Sequence, residues 1–379
     1  MSAHDAPIIL RFSFSTPKIL HTLRSSSCAH HPALQTFDDL LKLGITEITN
    51  LKFSEDHWPQ ASLPVKDGGL GIRRAVSLAP SAFLASAANT LNLQELILVN
   101  SLITLQDSAV TCLRQWWTTT FNSACPSHPL CLKQAEWDRP GIDAIKIKLI
   151  NSALDNHHRA RLLATAAPHS GDWLHALPIS NCGLRLDNEF IRIAVGLRLG
   201  VNLCQPYECP CGAIVDSRGT HGLSCRRSSG RMARHHHIND IVWRGLLRAS
   251  IPSSKEPSGL SRTDGKRPDG LTLIPWQGGK SLIWDVTVAD TLATSHLPHS
   301  SRTASGAADQ AAEKKEDKYE ELKANYLFVP IACETMGPIN VKAFNFLSEL
   351  GRRISVATGD NREGRFLLQR ISTAIQRFN

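Results

Sequence analysis

Ser281-Leu-Ile-Trp-Asp285-Val-Thr-Val288 is the stretch that decides the fold of the C-terminal part of this chain. It is strand-like, and an aspartate within an apolar strand is costly to bury unless it is paired or holds a cation. Upstream, Arg267-Pro268-Asp269-Gly270 leads into a second strand-like run, and Gln277-Gly-Gly-Lys280 predicts the turn of a β-hairpin between the two. In such a hairpin Asp269 and Asp285 approach each other, and two adjacent carboxylates require a cation.

The pattern around this strand predicts an α/β domain. Side chains alternate along a strand, so Asp285 shares a face with Thr287 while Trp284 and Val286 point to the other side. Because both faces are largely apolar, we expect the strand to lie inside a sheet, with Asp285 at the edge of the core. Further strand-like runs cover residues 271–276 and 327–333, and a charged helix is predicted between the last two strands, over residues 311–325.

Two lysines of that helix complete the candidate site. Lys315 and Lys318 are three residues apart, so a helix places them on one face. Either ammonium group could bring positive charge to a scissile phosphate or orient a water. The hard oxygen ligands of Asp269 and Asp285 suit Mg²⁺, which polarises a phosphate and lowers the pKa of a bound water. Taken singly, a turn aspartate before glycine explains Asp269 better, and a solvated helix face explains the lysines better. The ordered set as a whole favours a functional site, in which we expect Asp269, Asp285 and one of the two lysines to be catalytic.

Four candidate zinc ligands lie upstream, in Cys209-Pro-Cys211 and His221-Gly-Leu-Ser-Cys225. Three thiolates and one imidazole make a complete tetrahedral shell, so the zinc would be structural. Gly212 and Gly219 permit the tight turns that a small metal loop needs. The Cys-x-Cys spacing is less usual than Cys-x-x-Cys, and Cys204 therefore remains an alternative ligand. We expect the ten cysteines of the chain to be thiols or metal ligands, not disulfides.

The charge of the chain favours a polyanionic partner. Lys and Arg number 42 against 34 Asp and Glu, a formal net charge of +8. A basic run follows the last zinc-type cysteine, and a solvated helix face explains that run as well as a phosphate-binding surface does. The residues that we expect to bind nucleic acid are Arg226, Arg227, Arg231, Arg234 and Arg267.

These patterns predict an α+β multidomain protein. Its parts are a mainly helical region over residues 1–200, a zinc knuckle over residues 201–230 and an α/β domain over residues 231–379. We expect a linker near residues 255–265, a helix over residues 236–247 and a mobile loop over residues 294–308. No apolar run approaches the roughly 20 residues that span a bilayer, and no signal-peptide pattern is present. We therefore expect an intracellular protein, nuclear or otherwise, that is neither secreted nor membrane-bound.

The order Pro-Asp, Asp-Val-Thr and Lys-x-x-Lys-Tyr, downstream of a cysteine/histidine knuckle, resembles a known domain. It is similar to the PD-(D/E)XK, restriction-endonuclease-like domain at the C-terminus of site-specific non-LTR retrotransposon polyproteins. The resemblance covers roughly residues 200–379, and residues 63–72 and 82–86 also look like the region after the polymerase core in invertebrate sequences of this type.

The resemblance implies that Asp269 and Asp285 hold Mg²⁺ and that Lys315 or Lys318 is the catalytic lysine. It also implies an extra polar residue near the metal, for which Asn239 or Asp240 is the candidate. Thr287 stands where the usual motif has lysine, so a lysine on the helix must take that role. The implied activity is nicking of target DNA, which exposes a 3′ hydroxyl that primes reverse transcription.

The polymerase core itself is not recognisable in the sequence. Phe37-Asp38-Asp39 is its only trace of a polymerase-type aspartate pair, and it lies in a helix-like pattern without flanking strands. We therefore expect the C-terminal piece of such an element, with DNA as partner, element RNA as a further one and a polymerase supplied in trans. The alternatives are a catalytically inactive nucleic-acid-binding remnant and a helical protein-interaction scaffold, which would bind neither DNA nor zinc.

Overall fold

A computed structural model describes residues 1–98, 108–260 and 267–379 of the 379-residue chain. They form two compact units. The N-terminal unit contains residues 6–152, and the C-terminal unit contains residues 1–5 together with residues 153–379. Mixed α and β structure is present, as the sequence predicts, with two small sheets among the described residues. Within these same ranges, no helix is both long and apolar enough to cross a membrane.

The N-terminal unit is built from helices, and the described part of it contains no strand. Its core is formed mainly by helices α2, α5, α6 and α7 around Trp117 and Trp137, each about 1% exposed. The helices are α1 Asp5–Ile9, α2 Leu20–Ser25, α3 Ala33–Thr49, α4 His57–Ala61, α5 Ala75–Leu98, α6 Ser108–Phe121 and α7 Gln134–Asn151, with a π-helical turn at Leu10–Phe14 and 3-10 turns at Thr16–Lys18, Val65–Asp67 and Leu130–Leu132.

The first aspartate of the Asp38-Asp39 pair has a structural role. Asp38 lies in the middle of α3, fully buried, and its carboxylate accepts hydrogen bonds from the backbone N–H groups of Ala75 at 2.6 Å and Val76 at 3.2 Å. These are the first residues of α5, whose amides have no partner within their own helix. Asp38 therefore caps the start of α5, and the expectation that this pair is not a polymerase motif agrees with its surroundings.

The C-terminal unit contains both sheets. Its elements are α8 Asn156–Thr165, α9 Asn188–Leu199, β1 Tyr207–Glu208, β2 Ile214–Val215, α10 Ser229–Arg248, β3 Ser253–Lys255, β4 Gly270–Thr272, β5 Leu282–Ala289, α11 Leu297–Ser300, α12 Gly306–Lys318, β6 Leu327–Glu334, α13 Val341–Thr358 and α14 Glu363–Arg377, with 3-10 turns at Asp172–His175, Ser180–Cys182, Thr220–Leu223, Ser258–Leu260 and Glu320–Ala324. Helices α8 and α9 belong to this unit, whereas composition alone had grouped residues 153–200 with the N-terminal helices.

The larger sheet has the strand order β3-β4-β5-β6. Strands β4 and β5 are antiparallel, with Gly270 opposite Trp284, so the predicted hairpin is confirmed. Strand β4 is shorter than the predicted run, since it ends at Thr272, three residues before Pro275. Strands β5 and β6 are parallel, with α12 in the crossover between them. The position of β5 inside the sheet is therefore also as predicted.

Helices cover both faces of this sheet. Trp284 and Val286 of β5 belong to the main core, together with apolar residues of α10, α13 and α14. On the opposite face, Ala308 and Ala312 of α12 pack against Ala332 of β6. Small alanine side chains let α12 approach the strands closely. This close approach brings the lysines of α12 to the face of β5 that carries Asp285.

Several predicted boundaries differ from the structure. Helix α10 begins at residue 229, not 236, because a local pattern does not show that the basic residues before 236 continue the helix. The segment 294–308 is not a continuous loop, since it contains α11 and the first turn of α12. Helix α12 ends at residue 318, and a 3-10 turn covers residues 320–324. Of the predicted linker at 255–265, residues 261–265 lie outside the described residues.

Acid is expected to destabilise the C-terminal unit through His4. This side chain is buried, its Nδ1 accepts a hydrogen bond from the backbone N–H of Leu186 at 3.0 Å, and burial lowers its pKa from 6.5 to about 4. The folded state therefore binds the proton more weakly than the unfolded chain. The stabilising effect of neutral His4 is present above pH 6.5 and is lost as the pH falls towards 4.

Urea unfolding at two pH values measures this effect. Lowering the pH from about 7 to about 5 should cost about 2 kcal/mol through His4. His4→Asn, which retains an acceptor for Leu186 but does not titrate, is the control and should lose less stability over the same interval. An equal loss of unfolding free energy in both proteins would contradict the prediction.

Candidate functional site

The centre of the candidate site is Asp285 on β5. Its side chain is almost completely buried, with 3% of the residue exposed. Lys315 Nζ lies 2.6 Å from Asp285 Oδ1, and Lys318 Nζ lies 3.7 Å from Asp285 Oδ2. Both lysines therefore lie on the face of α12 that meets the carboxylate, and the three-residue spacing predicts that they share a face. The buried charge of Asp285 is balanced by Lys315, which satisfies the requirement that a buried carboxylate be paired.

Asp269 reaches the same position from the neighbouring strand. Its Oδ2 accepts a hydrogen bond from the backbone N–H of Val286 at 2.6 Å, across the β4–β5 hairpin. The following residue must be glycine, because a Cβ on Gly270 would lie 1.9 Å from the ring of Trp284. The glycine of the Pro-Asp-Gly sequence is therefore explained by a tryptophan ring that occupies the space a side chain would need.

His235 is a member of this site that sequence reasoning missed. Its Nε2 lies 3.0 Å from Asp269 Oδ2, and this hydrogen bond is the main reason that the pKa of His235 is raised above its ordinary value. The sequence interpretation counted His235 only as part of a basic run. A helical-wheel argument could have found it, because His235 and Asn239 are four residues apart on α10 and share the face that meets the sheet.

His235, Asp269 and Asp285 could together hold a metal ion. Each offers one ligand atom, and the three atoms all lie within 4.8 Å of one another. A histidine nitrogen and a carboxylate oxygen at 3.0 Å repel each other unless a proton or a cation lies between them. A metal ion would take the place of that proton, as it does when imidazole becomes a ligand. This site, with Lys315 and Lys318, is called the Asp285 site below.

The two polar candidates on α10 have different positions. Asn239 is buried beside the Asp285 site, where its Oδ1 accepts from Trp284 Nε1 at 2.8 Å and its Nδ2 donates to the backbone oxygen of Asp269 at 3.4 Å. Asp240 instead pairs with Lys255 and Arg244. Asn239 therefore holds the aspartate-bearing strand in place, whereas Asp240 is not part of the candidate metal group.

The start of α12 is fixed by a buried carboxylate. Glu334, at the end of β6, is 0% exposed, and its Oε1 accepts from the backbone N–H groups of Ala307 at 3.0 Å and Ala308 at 3.1 Å. Its Oε2 accepts from Thr291 Oγ1 at 2.9 Å. Helix α12 has no side-chain cap of its own at Ser305. Glu334 therefore supplies the cap and sets the position of the helix that carries Lys315.

The cysteine/histidine cluster forms a second candidate metal centre. Its members are Cys209, Cys211, His221 and Cys225, whose ligand atoms all lie within 4.8 Å of one another; they are called the Cys/His group below. Cys209 Sγ lies 3.8 Å from Cys225 Sγ, and Cys211 Sγ lies 3.2 Å from His221 Nε2. These four residues could hold a metal ion, and the donor set is one that binds zinc.

The local backbone of the Cys/His group is that of a small hairpin. Strands β1 and β2 pair antiparallel, and Gly212 adopts φ +86° in the turn between them. The backbone N–H of Ala213 lowers the pKa of the Cys211 thiol. Cys204 is not a member of the group, because its Sγ contacts the backbone oxygens of Asp216 at 3.4 Å and Ser217 at 3.7 Å. All ten cysteines are free thiols, as predicted.

The predicted phosphate-binding arginines are not equivalent. Arg226 and Arg227 are exposed, and so is Arg231. Arg267 is exposed and forms an ion pair with Glu256. Arg234 is 2% exposed and donates to the backbone oxygens of Leu223 at 3.1 Å and Phe378 at 3.4 Å.

Arg234 therefore has a structural position and is not accessible to phosphate groups. Burial lowers the pKa of its guanidinium. The sequence could not separate it from its neighbours, because all of them lie in one basic run. The position of Arg234 on the helix turns its side chain inwards. There it joins the end of the segment that carries the Cys/His group, residues 204–225 and called the Cys/His segment below, to the C-terminal end of the chain.

The chain has no match among protein-family models, and no curated protein matches it either. The interpretation of its function therefore depends on the geometry of the Asp285 site and of the Cys/His group.

Proposed function

We propose that this protein is a divalent-metal-dependent DNA endonuclease of the restriction-endonuclease-like type that its sequence resembles. The observation that carries the proposal is the Asp285 site, where three metal-type ligand atoms lie within 4.8 Å of one another and Lys315 Nζ lies 2.6 Å from Asp285 Oδ1. Hydrolysis of a phosphodiester develops negative charge on the phosphate oxygens. A cation position with a fixed ammonium group beside it is suited to that reaction.

The donor set fits a hard divalent ion. Two carboxylates suit Mg²⁺, and the imidazole of His235 is also acceptable to Mn²⁺. His235, Asp269 and Asp285 would hold the ion. When bound, such an ion lowers the pKa of a water and offsets the charge of the scissile phosphate. Because one donor of the three is nitrogen, we expect Mn²⁺ to support the reaction at least as well as Mg²⁺.

The protein residues supply positioning and charge. Val286 N–H and Asn239 hold Asp269 at its side chain and its backbone, so that its carboxylate cannot swing away from Asp285. Lys315 is only one-quarter exposed at its side chain, and its ammonium group is therefore poorly screened by water. It would donate to a phosphate oxygen as negative charge develops there, which stabilises the transition state.

The remaining features support DNA as the substrate. The net charge of +8 and the exposed Arg226 and Arg227 favour a phosphate backbone as partner. We assign structural zinc to the Cys/His group. By its resemblance to the retrotransposon domain, the nick would expose a 3′ hydroxyl for reverse transcription, with element RNA and a polymerase acting in trans.

Nicking of supercoiled plasmid tests the proposal. We expect wild-type protein to convert supercoiled to open-circular DNA with Mg²⁺ or Mn²⁺ and to leave it intact in EDTA. Asp285→Ala removes a central carboxylate, and it should lose about 10³-fold or more in rate, because the metal and the lysine lose their shared partner. Asp240→Ala removes an acid of the same unit that lies outside the metal group, and it should retain activity.

Two results would reject the endonuclease. One is wild-type protein that contains zinc and binds DNA but nicks none of several DNA targets with either ion. That outcome would support the inactive nucleic-acid-binding remnant instead. The other is equal nicking by wild-type protein and Asp285→Ala, which would indicate a contaminating nuclease. Protein that binds neither DNA nor zinc would support the helical scaffold.

A further inference from the structure

A groove of about 370 Å³ adjoins the Asp285 site. Lys315, which pairs with Asp285, also lines this groove, and so does Thr287, which follows Asp285 by two residues on the same face of β5. The opposite wall includes Ser224, from the end of the Cys/His segment, and Arg231, from the first turns of α10. This groove, called the Arg231 groove below, is therefore continuous with the place where a scissile phosphate would lie.

The Arg231 groove is lined by an excess of positive charge. Arg231, Lys314 and Lys315 line it, against one carboxylate, Asp290. Asp290 Oδ1 is already engaged, since it accepts from Thr335 Oγ1 at 3.1 Å and from the backbone N–H of Leu292 at 3.1 Å. Lys314 is exposed and forms no ion pair with any residue in the described ranges. The groove thus presents cations that are available to an anionic ligand.

We infer that the Arg231 groove binds the sugar-phosphate backbone of the DNA strand next to the scissile phosphate. This inference rests on the proposed endonuclease function and extends it to the substrate path. Arg231 and Lys314 would each contact a phosphate oxygen, and the hydroxyls of Ser224 and Thr287 are further hydrogen-bond donors.

The Cys/His segment is part of this substrate path. Arg231 Nη1 donates to the backbone oxygen of Ser224 at 3.2 Å, and the neighbouring Cys225 belongs to the Cys/His group. A metal ion held there would fix the backbone that forms one wall of the groove. The two metal centres of the unit then have separate tasks, since one holds the reacting phosphate and the other shapes the wall beside it.

DNA affinity measured against salt concentration tests the inference without any cleavage. A fluorescein-labelled duplex is titrated, in buffer without added Mg²⁺ or Mn²⁺ and without chelator, with wild-type protein, Arg231→Ala and Lys314→Ala. The control, Lys342→Ala, removes the same charge from an exposed position on α13 outside the groove, where Lys342 pairs with Glu316. Each groove variant should bind about five- to tenfold more weakly, and the slope of log affinity against log salt should fall by about 0.9 per lost phosphate contact.

The results separate the groove from the nuclease. Lower affinity and a lower slope in both groove variants, with Lys342→Ala like wild type, would support the inference. If both groove variants match Lys342→Ala while metal-dependent nicking persists, the groove inference is overturned and the endonuclease is not. If the groove variants weaken binding but wild-type protein never nicks DNA, the endonuclease fails and the groove remains. Absence of any DNA binding by folded wild-type protein overturns both.

Discussion

Lys315→Ala is expected to slow DNA nicking by about 10²- to 10³-fold, whereas Lys318→Ala should slow it by less than about tenfold. The resemblance left the choice between these lysines open, and the geometry favours Lys315. Lys315 Nζ is 2.6 Å from Asp285 Oδ1, but Lys318 Nζ is 3.7 Å from the nearer carboxylate oxygen and donates to Tyr319 Oη at 2.5 Å. Tyr319 Oη in turn donates to the backbone oxygen of Arg267 at 2.8 Å.

Single-turnover rates of plasmid nicking would compare the two lysine variants with wild type under saturating protein. Lys342→Ala again serves as the control for the loss of one positive charge. Thermal unfolding of each variant establishes that the protein is folded, and DNA affinity separates binding from chemistry. If Lys318→Ala shows the larger loss of rate at unchanged affinity, the catalytic role belongs to Lys318. Equal and small losses in both variants would exclude either lysine from the reaction.

Cys225→Ser is expected to remove zinc and to unfold the segment around the Cys/His group. Structural zinc sites contribute about 10–16 kcal/mol of apparent binding free energy, which is comparable with the whole stability of a domain, about 5–15 kcal/mol. The loss should extend beyond the segment. The guanidinium of Arg234 donates to the backbone oxygens of Leu223 and Phe378. If the Cys/His segment is disordered, this buried group also loses its hydrogen bond to Leu223.

Cys204→Ser is the matched control for this experiment. The sequence left Cys204 as an alternative ligand, but its sulfur contacts two backbone oxygens and is not a member of the Cys/His group. Elemental analysis of purified protein should give one zinc per chain for wild type and for Cys204→Ser, and almost none for Cys225→Ser. The melting temperature should fall only in the last. Loss of zinc from Cys204→Ser, or its retention by Cys225→Ser, would show that the ligand set is wrong.

The features that the sequence predicted depend on short-range patterns. The β4–β5 hairpin follows from two strand-like runs and a Gly-Gly turn, and it brings Asp269 to Asp285 whatever the rest of the chain does. The approach of Lys315 to Asp285 follows from the length of one helix and one crossover. The Cys/His group likewise depends on four residues within a short loop. Local chemistry was therefore sufficient for most of the candidate ligands.

The features that the sequence did not predict depend on packing between distant segments. His235 joins the site because α10 lies across the sheet, and its spacing from Asn239 shows a shared helix face but not that this face meets Asp269. Arg234 is buried because Leu223 and Phe378, which are distant in sequence, pack against it, although Arg231 on the same helix is exposed. Glu334 caps α12 from a position that follows Ala307 by 27 residues and Ala308 by 26. A capping motif near the start of the helix could therefore not reveal it.

That cap bears on which changes in chain length the candidate nuclease can tolerate. Because Glu334 fixes the first turn of α12, the register of Lys315 depends on its seven-residue separation from Ala308 along the helix and not on the length of the connection that precedes the helix. Insertions at the exposed turn of Arg302 and Thr303 should therefore leave the lysine in place. One residue added within α12 would rotate Lys315 by about 100° around the helix axis and turn it away from Asp285. The number of residues between Asp285 and Lys315 can thus change without loss of the contact between the carboxylate and the ammonium group.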